Sequence, residues 1–117
     1  MRFTTRKTIF TTALTIAAGM AIPGLAVAQD AVKRGQEVYT AQKCQVCHSV
    51  AGKGGKASPL DGVGAKLSAD DIRQWITHPK DAATKAKSNK KPPMQDKYSK
   101  LPAADIDALV AYMQSLK

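Results

Sequence analysis

The sequence predicts a small all-α domain, on three observations. Three stretches carry apolar residues at helical spacing, none alternates in the two-residue rhythm of a strand, and the chain has 117 residues, the length of one domain. A further number qualifies this core. Only 5 % of the residues are aromatic although 44 % are hydrophobic, so rings that normally supply much of the buried area are scarce.

The first element lies outside the domain. Residues 1–28 begin with Arg2, Arg6 and Lys7, continue through an acid-free apolar stretch from Ile9 to Leu25, and end in Ala26-Val27-Ala28 before Gln29-Asp30. This three-part layout predicts a secretory signal peptide cleaved after Ala28, with residues 29–117 as the working domain. An uncleaved membrane anchor is the alternative. Against it, Thr11, Thr12, Thr15 and Gly19 dilute the apolar run, Pro23-Gly24 breaks it, and no basic cluster follows. The arginines are not adjacent, which predicts the general export route rather than the twin-arginine one. Both phenylalanines, Phe3 and Phe10, leave with the leader. Tyr39, Trp75, Tyr98 and Tyr112 remain, few enough that another apolar body is expected in the middle.

In the exported part, Val32, Gly35, Val38, Tyr39 and Gln42 fall at helical spacing behind Asp30, which predicts a helix over 31–43 with Asp30 as cap. Gly35 sits inside it, where glycine costs about 1 kcal/mol relative to alanine; a close backbone approach is expected there. Residues 49–66 hold five of the eight glycines and Pro59, which predicts a loop with little regular structure. Ser68-Ala-Asp-Asp71 marks a second helix start, with Ser68 as cap. Its stripe is Ile72, Trp75 and Ile76, and Pro79 is expected to stop it. Residues 80–100 are lysine-rich and contain Pro92-Pro93. The third helix is expected over 102–117, with Pro102 at its first position and Ile106, Leu109, Val110, Met113 and Leu116 on one face.

The chemistry is concentrated at Cys44-Gln45-Val46-Cys47-His48. Two thiols three positions apart, followed at once by an imidazole, can bond both vinyl groups of one haem while the histidine reaches its iron from the same side. Competing readings are a zinc site, for which the chain offers only two cysteines with His48 and His78, a thioredoxin-like dithiol, which expects a strand-helix-strand context absent here, and a plain disulfide.

With these residues in place, the chain over 31–117 resembles a small bacterial class I cytochrome c with one haem. In that family an N-terminal helix carrying glycine and, four residues on, an aromatic crosses a C-terminal helix carrying Leu-x-x-Tyr; here these are Gly35, Tyr39, Leu109 and Tyr112. The resemblance implies three to four short helices around one covalent haem c held by Cys44 and Cys47, with His48 as one iron ligand. It further implies a methionine sulfur as the second, from a loop before the last helix. Met94, in Lys90-Lys91-Pro92-Pro93-Met94-Gln95, stands there, whereas Met113 lies on the apolar face of the last helix. His78, in Trp75-Ile-Thr-His78-Pro79, is the competing ligand, for which a surface or supporting role is preferred.

The family ties the other ring N–H of the iron histidine to a proline carbonyl in a Gly-Pro-x-Leu-like sequence. This chain has Ala57-Ser58-Pro59-Leu60-Asp61-Gly62; aligned on Leu60 and Gly62, Ser58 stands where the family has proline, and Pro59 is the nearest proline to supply the carbonyl. Trp75 resembles the family tryptophan beside a haem propionate, with plain core packing as the other reading.

His/Met ligation fills both axial positions, favours ferrous iron and leaves no room for a substrate at the metal. The expected task is therefore single-electron transfer in the periplasm, by a soluble monomer and not by an enzyme. An open-iron haem protein, sensing gas or acting on peroxide, and an electron-transfer subunit of a larger oxidoreductase are the alternatives.

Charge placement bears on partners. The chain carries 18 basic and nine acidic residues; without the three bases of the leader the balance is +6. Lys80, Lys85, Lys87, Lys90, Lys91, Lys97 and Lys100 against Asp81 and Asp96 put +5 of it in one segment. The expected partners are redox proteins with acidic docking patches, such as a quinol-oxidising complex, a dehydrogenase, a terminal oxidase or a reductase. Nucleic acid is not expected, since the aromatics are not interleaved with the bases.

Overall fold

The structure is a computed structural model, and it describes residues 22–117 together with Gly19. Most of the leader expected over 1–28 lies outside the described residues.

Five helices form. Helix α1 spans Pro23–Ala41, α2 Val63–Lys66, α3 Ala69–Thr77, α4 Pro79–Lys85 and α5 Ala103–Ser115. Helix α1 starts well before the expected residue 31. Pro23 pre-sets the backbone at the first helical position and Leu25-Ala26-Val27-Ala28 continues it, so Asp30 is helix interior rather than cap. Ile22 before these added turns and Leu25 and Val27 on them are 65 %, 62 % and 69 % exposed among the described residues. The helix stops two residues short of the expected 43, with Lys43 in the left-handed region at φ 57°.

Pro79 has two roles, of which the sequence showed one. It ends α3 at His78, as expected, and it also starts α4, which turns the first part of the lysine-rich segment into a helix rather than a loop. Pro102 lies just outside α5, as its cap residue.

Residues 49–66 are more ordered than their glycines suggest. Strands β1 (His48–Val50), β2 (Lys53–Gly54) and β3 (Ser58–Pro59) form a small sheet in the order β2-β1-β3. Strand β1 pairs antiparallel with β2, through Ser49 and Gly54, and parallel with β3, through His48 and Ser58.

The core sits where α1 crosses α5. Val38, Tyr39, Ile72, Ile76, Ile106, Leu109, Val110, Tyr112 and Met113 form one buried cluster. The crossing depends on Gly35: a Cβ there would strike the Ala108 carbonyl and come within 2.6 Å of Tyr112 Cβ. The Tyr39 and Tyr112 rings meet edge to face, centroids 5.6 Å apart at 69°, and the Arg34 guanidinium reaches Asp105 at 2.8 Å across the same contact. The close approach, the crossing helices and the packing role of Met113 agree with expectation.

Candidate functional site

The site grows from the end of α1. A 3₁₀ turn over Cys44–Val46 follows Lys43 and delivers Cys44, Cys47 and His48 to β1. Cys44 packs against the core while Cys47 is exposed, and the two thiols are unbridged. Burial pushes the Cys44 thiol up, partly countered by the nearby Lys97 ammonium.

The loop after the motif is laced back onto it. Gly55 N–H donates to the Gln45 carbonyl at 2.8 Å, Ser58 N–H to Cys47 at 3.2 Å and Leu60 N–H to Ser49 at 2.9 Å. Gly54 makes this possible at φ 111°, since a side chain there would press on the His48 and Gln45 carbonyls. The lacing brings the Ser58 carbonyl to His48 Nδ1 at 2.9 Å. A carbonyl only accepts, so Nδ1 carries the ring proton and Nε2 keeps its lone pair for a metal. The acceptor is thus Ser58, at the position aligned with the family proline, and not Pro59. Serine can stand there because its own N–H, which proline lacks, anchors the strand to Cys47.

One contact had no sequence signal. The Tyr39 phenol donates to the His48 backbone carbonyl at 3.1 Å. Burial, with lesser contributions from Cys44, Tyr112 and Asp61, pushes this phenol up to about 12, so it remains protonated.

Met94 lies on a separate segment. From Thr84 to Lys97 it is the one half-buried residue among exposed ones. A 3₁₀ turn over Asp96–Lys100 follows, and its Tyr98 packs against the core under the Lys97 ammonium, which sits 5.1 Å from the ring centre. Burial pushes the Tyr98 phenol up, with lesser contributions from Cys44 and Cys47. No hydrogen bond ties Met94 to the Cys44–His48 segment.

Trp75 is half-buried on α3. It flanks Ile72 and Ile76 but lies outside the core cluster that they belong to, and its indole N–H makes no hydrogen bond among the described residues. His78 is exposed. Its Nδ1 lies 2.9 Å from the Thr77 hydroxyl, which itself donates to the Arg73 carbonyl. It lines a cavity of about 550 Å³ with Thr77, Lys80, Lys97 and Lys100. Two of the seven lysines are paired within the protein, Lys80 with Asp96 at 3.2 Å and Lys85 with Asp71 at 3.0 Å. Lys87, Lys90, Lys91, Lys97 and Lys100 pair with no carboxylate among the described residues.

Residues 32–117 match the family model for cytochrome c, and the chain belongs to that family. No curated protein and no solved structure matches it. The family binds haem c covalently, with its iron, and works in electron transfer. The residues present fit that group. Cys44 and Cys47 offer free thiols at the required spacing, and His48 offers a free ring nitrogen. The surroundings are apolar: Cys44 packs against the core cluster, whose residues are 3–8 % exposed. The zinc reading loses support, since no three His, Cys, Asp or Glu side chains among the described residues converge to hold an ion.

Proposed function

We propose that this chain is an exported carrier of single electrons, with haem c held by Cys44 and Cys47, His48 as one iron ligand and Met94 as the other. The carrying observation is the His48 geometry: the Ser58 carbonyl holds the proton on Nδ1 at 2.9 Å, which presents Nε2 as a ligand in a fixed orientation. When bound, the haem supplies the one-electron Fe(III)/Fe(II) couple.

The other residues have supporting tasks. Burial of Cys44 against the core fixes one attachment point, while exposed Cys47 and Val46, the latter 69 % exposed, leave this edge open to a partner. The half-buried placement of Met94 amid exposed neighbours supports an inward role for its sulfur, and a thioether ligand raises the potential. The unbonded Trp75 indole N–H is free to donate to a propionate. The unpaired lysines favour a partner with an acidic docking patch, and the chain acts as a monomer in the periplasm after cleavage behind Ala28. The exposed helical turns up to that point support removal without loss of packing. No helix among the described residues is long and apolar enough to cross a membrane.

The test is the visible spectrum of the exported protein and of Met94→Ala. The parent should show the weak far-red band of ferric His/Met haem and bind carbon monoxide slowly; Met94→Ala should lose the band and fall in potential. An unchanged spectrum in the variant removes Met94 from the ligand set. Rapid carbon monoxide binding by the parent would mean an open iron. The mass of the same preparation should begin at Gln29.

A further inference from the structure

Strand β1 has three residues, and its neighbours have two each. So short a sheet has few ladder bonds, and something else must hold its position. His48 opens β1, and it is gripped at two atoms. The Ser58 carbonyl takes the ring proton at 2.9 Å, and the Tyr39 phenol donates to the backbone carbonyl at 3.1 Å.

Tyr39 is a stiff anchor for this purpose. It is 7 % exposed, and its ring edge is set against Tyr112 at the place where α1 crosses α5. A buried hydroxyl that lost its acceptor would be costly to leave unpaired, so the pairing has a direction: the core holds the phenol, and the phenol holds the strand. We infer that Tyr39 is a positioning residue for His48, transmitting the rigidity of the α1–α5 crossing to the backbone that carries the imidazole. The inference rests on the reading of His48 as an iron ligand.

Loss of the phenol leaves β1 free to shift against β3. The Nδ1–H···O bond to Ser58 then weakens, the imidazole becomes a poorer donor, and ferric iron loses more than ferrous. The midpoint potential rises.

Tyr39→Phe deletes the hydroxyl and keeps the ring contact. Tyr112→Phe is its control, because Tyr112 is the other ring of the pair, is buried as a residue at 8 % exposure, and has a hydroxyl that makes no hydrogen bond among the described residues and is not itself buried. Both variants are compared with the parent holoprotein in two measurements: hydrogen exchange of the His48 ring N–H and of the Ser49 and Val50 amides by NMR, and the midpoint potential. Tyr39→Phe should speed exchange at these protons about three- to tenfold, the worth of one hydrogen bond, and raise the potential. Tyr112→Phe should change neither. Equal behaviour of the two variants overturns the inference, since a merely structural phenol would act the same at either position. A parent that fails a haem stain on a denaturing gel would instead overturn the iron-ligand reading; the exchange measurement on the chain still decides whether Tyr39 holds His48.

Discussion

An imidazole has two nitrogens and, when neutral, one proton; the Ser58 carbonyl decides which nitrogen has it. That decision depends on a backbone atom ten residues away, which explains what was legible at this scale. Cys44, Cys47 and His48 stand out in sequence because the covalent haem attachment proposed for them would demand their spacing. The Ser58 and Tyr39 contacts do not, because a carbonyl belongs to every residue and a phenol shows no direction until the chain is folded. Gly35 is an intermediate case: its position inside a helix signals a close approach without naming the neighbour. Gly35→Ala would gain about 1 kcal/mol of helix propensity but drive a Cβ into the Ala108 carbonyl. A net loss of about 1–3 kcal/mol is expected from overpacking, lowering Tm by roughly 4–8 °C for each kcal/mol in a domain of this size. Thermal unfolding of the variant checks this; an unchanged or higher Tm would mean that the helices separate easily.

At the scale of elements, α3 shows how far a local signal carries. Ser68 caps it as the sequence predicted: its oxygen accepts from Asp71 N–H at 3.1 Å, and its hydroxyl donates to the Asp71 carboxylate at 2.7 Å. Lys85 on α4 adds a second contact to that carboxylate, at 3.0 Å. The Ser68 hydroxyl first, and then Lys85, hold the Asp71 carboxyl below its ordinary value of 3.8. A depressed folded value means that the stabilisation is present above the ordinary value and lost as pH falls through the folded one. Stability should therefore decline on acidification below about pH 4, and less steeply in Asp71→Asn. Ser68→Ala should cost about 1 kcal/mol at neutral pH and flatten the same acid limb. Denaturant titrations over about pH 2 to 6 measure both, and parallel acid limbs for parent and variants would refute the assignment. Other elements were invisible beforehand. Strands of two or three residues are too short to show alternation, and α4 hides behind a proline whose stop signal is equally a start signal.

At the scale of the molecule, charge is sorted rather than spread. Lys80 and Lys85 tie α4 to the 3₁₀ turn and to α3 through surface ion pairs, which leaves Lys87, Lys90, Lys91, Lys97 and Lys100 as the bases of the segment that carries Met94 with no carboxylate partner among the described residues. Exposed charges act over about 8 Å at physiological ionic strength, so their effect is mainly on encounter. Electron transfer to the partner should slow as salt rises, and reversing Lys90 and Lys91 to Glu should slow it about tenfold at low salt while the spectrum is unchanged. A salt-independent rate would exclude the acidic partner.

By itself the sequence determined the helical class and the family and singled out the Cys44–His48 motif, because periodicity, close spacing and caps are local and each is written in a few adjacent residues. The tertiary structure alone decided that Ser58 and not Pro59 holds the His48 proton, that Tyr39 grips the same residue from α1, and which lysines stay unpaired. Those contacts join residues distant in sequence through backbone carbonyls and salt links, and no local pattern encodes a partner that only folding brings near.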